Sequence, residues 1–240
     1  MNTRGEGRET GSADLGIPAD LRGPLLAHLD ELRERYRRRG WAGRVGFGSR
    51  PAVVVIDLAC YWLDSSQQIG SRLDAVVDAT CRVLSAARAK NVPIFFTTFA
   101  HDPAEPPSPH DRKLKLDLPD DAARLFELDP RLERRPNEKI VRKRYASAFK
   151  GTHLHEMLTA LGVDTLVITG VRTSHCVYAT CRDATDSFRV IVAREAVGER
   201  CELMHHVFLF DIDIDLGDVE PVDNVVRYLA QLPDQREHSR

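Results

Sequence analysis

The chain has 240 residues, 42% of them hydrophobic and 29% charged, with a formal net charge of −2. That length holds one α/β domain with a full core, and the balanced charge argues against nucleic acid as a partner. Five cysteines at irregular spacing form neither a disulfide framework nor a CxxC zinc pair, no run is long enough to span a membrane, and MNTRGEGRETGSADLG lacks the apolar core of an export signal, so a cytoplasmic protein with no membrane partner is expected.

Residues 1–16 are rich in Gly, Glu and Arg and read as a flexible lead-in. From Leu21 to Arg39 the leucines repeat at helical spacing above the charge run ELRERYRRR. Two glutamates interrupt that run, so a solvated face or subunit-contact arm fits better than a nucleic-acid patch. Residues 1–45 are accordingly set apart as an arm, and 46–240 as the main domain. AVVVI at Ala52–Ile56 is a buried strand that ends at Asp57, a carboxylate that is costly there without a partner or a task. A helix follows over 73–87, closed by Asn91, and VPIFFTT at Val92–Thr98 supplies the next strand of a right-handed βαβ unit. The stretch 101–137 holds seven prolines and many charges and reads as a long excursion over the strand ends.

EKIVR at Glu138–Arg142 is a short strand with Lys143 at its end, and a helix over 152–161 comes next. Leu166–Thr169 is a central strand broken by Gly170. From Thr173 onward the apolar spacing turns helical, with Thr173 or Ser174 as N-cap and Cys176 in the first turn, where the N–H groups and the helix dipole favour thiolate. A buried structural cysteine is the alternative. RVIVA at Arg189–Ala193 is a further strand, and 222–231 the last helix. Strands alternating with helices indicate a parallel sheet of five or six strands with both faces covered.

Asp57, Lys143 and Cys176 therefore fall at one edge of one sheet. A carboxylate can take the proton of a thiol if a neighbouring cation steadies the charges, which makes Cys176 a candidate nucleophile. On the blocks GFGSRPAVVVIDL, FFTTFAHDP, VRKRYASAFKGT, GVRTSHCVYATCRDA, AREAVGERCELMHH and LFDIDIDLGDV, in that order, the chain resembles the isochorismatase-like cysteine hydrolases, which include nicotinamidase. Within them it looks most like the N-carbamoylsarcosine amidohydrolase branch. The resemblance implies a three-layer αβα sandwich with a mostly parallel sheet, an Asp57–Lys143–Cys176 triad, and a cis peptide at Val171–Arg172 that turns N–H groups toward an oxyanion. It also implies hydrolysis of a C–N bond in a small amide or N-carbamoyl (ureido) substrate, with release of ammonia, and a homo-oligomer, dimer or tetramer.

Arg200 matches by position an arginine that binds the substrate carboxylate in that branch, and His205 and His206 are expected near the same pocket. Arg172 stands where the branch has a small residue. LACYWL replaces the usual residues after the first aspartate, so Tyr61 and Trp62 are candidates for an aromatic pocket wall. The Asp-x-His metal pair of nicotinamidases is replaced by AHDP; His101 and His110 alone are weak metal ligands, and no metal or cofactor is expected. Two other readings stay open: an isochorismatase-type vinyl-ether hydrolase, which can work without the cysteine, and a catalytically silent interaction protein. A dinucleotide-binding module lacks its GxGxxG fingerprint here.

Overall fold

The computed structural model describes residues 15–102, 104–115, 118 and 122–233, so the lead-in at 1–14 lies outside the described residues. In chain order the elements are α1 (Ala19–Arg38), β1 (Pro51–Ile56), α2 (Cys60–Leu63), α3 (Asp74–Ala89), β2 (Ile94–Phe99) and α4 (Pro109–Leu114), followed by β3 (Lys139–Lys143) and α5 (Leu154–Ala160). Then come β4 (Thr165–Val171), α6 (Tyr178–Ala184), β5 (Arg189–Gly198), α7 (Glu202–Asp211), β6 (Asp218–Glu220) and α8 (Val222–Gln231).

The six strands form one parallel sheet in the order β3-β2-β1-β4-β5-β6. Every residue of β1 and β4 is buried, as their unbroken apolar runs require of strands covered on both faces. Alternate side chains of the strands feed two cores. Val54, Ile56, Ile168 and Val192 pack with residues of α5, α6 and α7, while Val53, Val55, Val167 and Ile191 pack with residues of α3 and α8. The result is three layers, helix, sheet, helix.

Building outward from β1 to β3 and then returning to β4 on the other side reverses the strand order between β1 and β4. At such a reversal the connections leave in opposite directions and open a crevice beyond the strand C-termini. Asp57 leaves β1 there, and the turn carrying Cys176 leaves β4 there.

Four sequence expectations change. Gly170 does not end its strand: β4 runs through it, paired with Ile56. Its φ of 110°, and a site where a Cβ would sit 1.9 Å from the Ile56 carbonyl oxygen, admit only glycine. Arg189–Ala193 continues to Gly198, with an irregularity against β4 between Ile168 and Gly170. Its partner β6 is only three residues long and carries a buried aspartate, so apolar patterning does not reveal it. Nor does the pattern single out α7, where apolar residues lie all round the helix without one clear stripe.

The helix placed at 21–39 is α1, which has no buried residue and lies against α7. Arg33 pairs with Asp213 at 3.0 Å, and the Ile17 N–H donates to Glu202 Oε2 at 3.0 Å. No helix among the described residues is long and apolar enough to cross a membrane.

Candidate active site

Asp57 follows the last residue of β1 with a left-handed φ of 51°, a conformation that aspartate tolerates better than most residues. This turn aims its carboxylate along the sheet edge. Thr97 on β2 donates its hydroxyl to Asp57 Oδ1 at 2.6 Å and accepts the Asp57 N–H at 3.2 Å. Lys143 closes β3, two strands away, roughly 10 Å at the usual strand spacing. Its long stem crosses over β2, placing Nζ 2.7 Å from Asp57 Oδ2, and the ammonium also donates to the Tyr145 carbonyl at 3.2 Å. Both side chains are nearly fully buried.

Cys176 arrives from the other side, on the wide π-type turn Thr173–Val177 that joins β4 to α6. Its thiol shares a cavity floor with Asp57 and Lys143 and feels the charge of both. Neither Thr173 nor Ser174 caps the turn with its own side chain, contrary to the expectation from sequence. Instead Glu199, just past β5, accepts both the N–H and the hydroxyl of Ser174, at 3.0 and 2.6 Å. The Arg172 carbonyl accepts from His175 and Val177, and the Val171–Arg172 peptide is cis.

The electrostatics correct a second expectation. Burial, and then the Asp57 carboxylate, push the Cys176 thiol up to about 12, against the opposing pull of Lys143 and Arg172. The helix start does not outweigh these, so the resting group is a neutral thiol. Burial alone would lower the Lys143 ammonium, but Asp57 and Cys176 overcome it and the net direction is up. The site therefore rests with a protonated thiol beside the Lys143–Asp57 pair.

Above the three groups lies a cavity of about 820 Å³. Val171, Arg172 and His175 line one side of it, Trp62 from α2 another, and the excursion supplies Glu105, His110, Asp111 and Phe126. Arg144, just after β3, straps that excursion down through Glu105 at 2.9 Å and Asp111 at 3.3 Å. His110 stacks on His175, with centroids 4.9 Å apart. Burial, with Arg172 next, lowers His175 to about 4, so it is neutral near pH 7.

Arg200 and His205 do not line this cavity. They face a separate recess of about 250 Å³ beside Glu199 and Leu73. His205 Nδ1 lies 2.9 Å from the Thr173 hydroxyl, behind the turn, and His206 pairs with Glu202 at 3.6 Å. His101 packs toward Phe126, and among the described residues no three His, Cys, Asp or Glu side chains gather as metal ligands. Thr97, Glu199, His175 and Arg144 escaped the sequence reading. Only Thr97 had a local signal, a hydroxyl inside an apolar strand.

A parallel three-layer sheet whose order reverses over a buried carboxylate, ammonium and thiol defines a hydrolase-type α/β architecture. The chain belongs to the isochorismatase family: the isochorismatase domain matches residues 51–219. It is 36% identical to the N-carbamoylsarcosine amidase of an Arthrobacter species, over 89% of this chain and 86% of that protein. It is 32% identical to the maleamate amidohydrolase of Pseudomonas putida, over 86% of this chain and 99% of that protein. A cysteine hydrolase from Pseudomonas syringae shares the fold with a TM-score of 0.68 at 23% identity, covering 75% of this chain and 92% of its own.

Proposed function

We propose that the chain is a cysteine-dependent amidohydrolase that cleaves a C–N bond in a small amide or N-carbamoyl compound and releases ammonia through a covalent acyl-enzyme. The observation that carries this reading is the meeting of a buried thiol with a buried carboxylate–ammonium pair at the floor of the cavity. A buried ion pair is expensive to desolvate and is a weak source of stability, so chemistry is the better reason to keep it.

In the proposed cycle Cys176 Sγ attacks the substrate carbonyl while its proton passes to Asp57. The neutral resting thiol fits such coupled transfer better than a standing thiolate. Backbone N–H groups of the turn that runs from Val171 and Arg172 to Cys176 face the oxyanion. On collapse the C–N bond breaks and Asp57 returns the proton to the departing nitrogen, giving ammonia. Water then attacks the thioester, Asp57 takes its proton, and Cys176 leaves as a thiol once that proton is passed on. Lys143 keeps Asp57 aligned and offsets charge as the carboxylate gains and loses its proton, and no metal or cofactor enters any step.

Cys176→Ala and Asp57→Asn are expected to lower ammonia release from the best substrate of a ureido-acid and amide screen by about 10³-fold or more, as groups acting as a unit do. Mass spectrometry after quenching should find the acyl adduct on the Cys176 peptide. An adduct on Cys60 or Cys201, or substantial activity in Cys176→Ala, overturns the mechanism.

A further inference from the structure

Arg172 is nine-tenths buried, yet its guanidinium has neither a hydrogen-bond acceptor nor an acidic partner among the described residues. It lines the cavity beside Trp62, with its guanidinium carbon 5.9 Å from the ring centroid. The acids of that cavity are engaged elsewhere. Asp57 pairs with Lys143, Glu105 and Asp111 pair with Arg144, and Asp183 is exposed at the rim.

Two further polar atoms in this corner are unsatisfied. The Trp62 indole N–H and the Tyr61 hydroxyl are buried with no hydrogen-bond partner, and the two rings touch edge to face at 4.9 Å. A cation and two donors without an acceptor are costly in a folded protein unless a ligand supplies one. What the corner lacks is an anion.

We propose that Arg172, braced over the Trp62 ring, binds a carboxylate of the substrate and so sets specificity for short acid-bearing amides or ureas. This rests on the cavity being the substrate site. A flat guanidinium next to an aromatic ring suits a planar, bidentate carboxylate. Arg172 sits in the nucleophile's own turn, close enough for its charge to be felt at Cys176, so the bound acid lies near the scissile carbonyl. Arg200, the position that sequence suggested for this role, opens onto the other recess.

The test separates binding from turnover. Calorimetry of the Cys176→Ser protein with malonate, a short dicarboxylate that is not hydrolysed, should show saturable binding. Arg172→Met is expected to weaken it by about 30-fold, the worth of a charge-assisted pair. Arg172→Lys, which keeps the charge but loses the flat two-pronged fork, is expected to weaken it by about threefold to tenfold and serves if Arg172→Met does not fold. In the active protein Arg172→Met should raise KM for an acid-bearing substrate several-fold more than for its neutral amide counterpart, the ratio of the two being the readout. Unchanged malonate affinity in either variant overturns the proposal. So does loss of binding in Arg200→Met with retention in Arg172→Met, and tighter binding of inorganic phosphate than of malonate overturns the choice of carboxylate. If malonate does not bind but Cys176→Ala is dead, the amidohydrolase reading stands and this one falls.

Discussion

At Cys176 two physical effects oppose each other. A helix start lowers a thiol's pKa, while full burial beside a carboxylate raises it, and here the second prevails. The places of Asp57, Lys143 and Cys176 were legible because Asp57 ends an apolar run, Lys143 falls at a strand end and Cys176 follows a strand at the start of a helical pattern. The protonation state was not, because it depends first on how deeply the turn buries the thiol and then on how closely Asp57 approaches across the sheet. A stability consequence follows. Cys176 and Cys181 are both buried and both pushed up to about 12, by burial first. Their unfolded thiols titrate near 9. Above that pH the unfolded chain gives up protons that the folded chain keeps, so stability is whole below pH 9 and is lost as the pH rises toward 12. Urea midpoints are expected to fall steadily above pH 9, and the Cys181→Ala protein should show a shallower fall; equal slopes would overturn this account.

At the scale of elements, the strands were legible where apolar β-branched runs are long, as in β1 and β4, and illegible where three residues suffice, as in β6. The placing of Arg200 failed for a related reason. The irregular pairing of β5 with β4 past Ile168 sets where the following loop emerges, and nothing in local spacing encodes it. The same irregular stretch leads to Glu199, which caps the nucleophile turn from 25 residues away in sequence. Gly170 is a tight point of this architecture, since β1 and β4 meet there without room for a Cβ. Gly170→Ala is expected to cost at least about 3 kcal/mol, from its backbone conformation and the clash with Ile56 together. Chemical denaturation measures it, and a loss under 1 kcal/mol, about the ordinary cost of a point change, would mean the two strands can part.

At the scale of the whole molecule, alternating strands and helices made the three layers readable, whereas the role of α1 was not. That helix buries no residue, and Leu21, Tyr36 and the neighbouring α7 residues Leu203, Met204 and Val207 stay exposed. An apolar face of this kind asks for a cover, and self-association through the 1–45 arm is the proposed one. Sedimentation should find a dimer or tetramer, and a clean monomer at micromolar concentration would overturn it. One last consequence comes from the path of Lys143 over β2. Among the described residues β3 is an edge strand, hydrogen-bonded to β2 alone, and the ammonium ties it to the middle of the sheet. The ion pair is thus a cross-brace as well as a reagent, and fraying of the sheet margin disarms the site. Lys143→Met should leave Asp57 buried and unpaired, costing about 3–5 kcal/mol. Hydrogen exchange at 139–143 should accelerate more than in β1 or β4, whereas a uniform rise across the sheet would show that the edge needs no such brace.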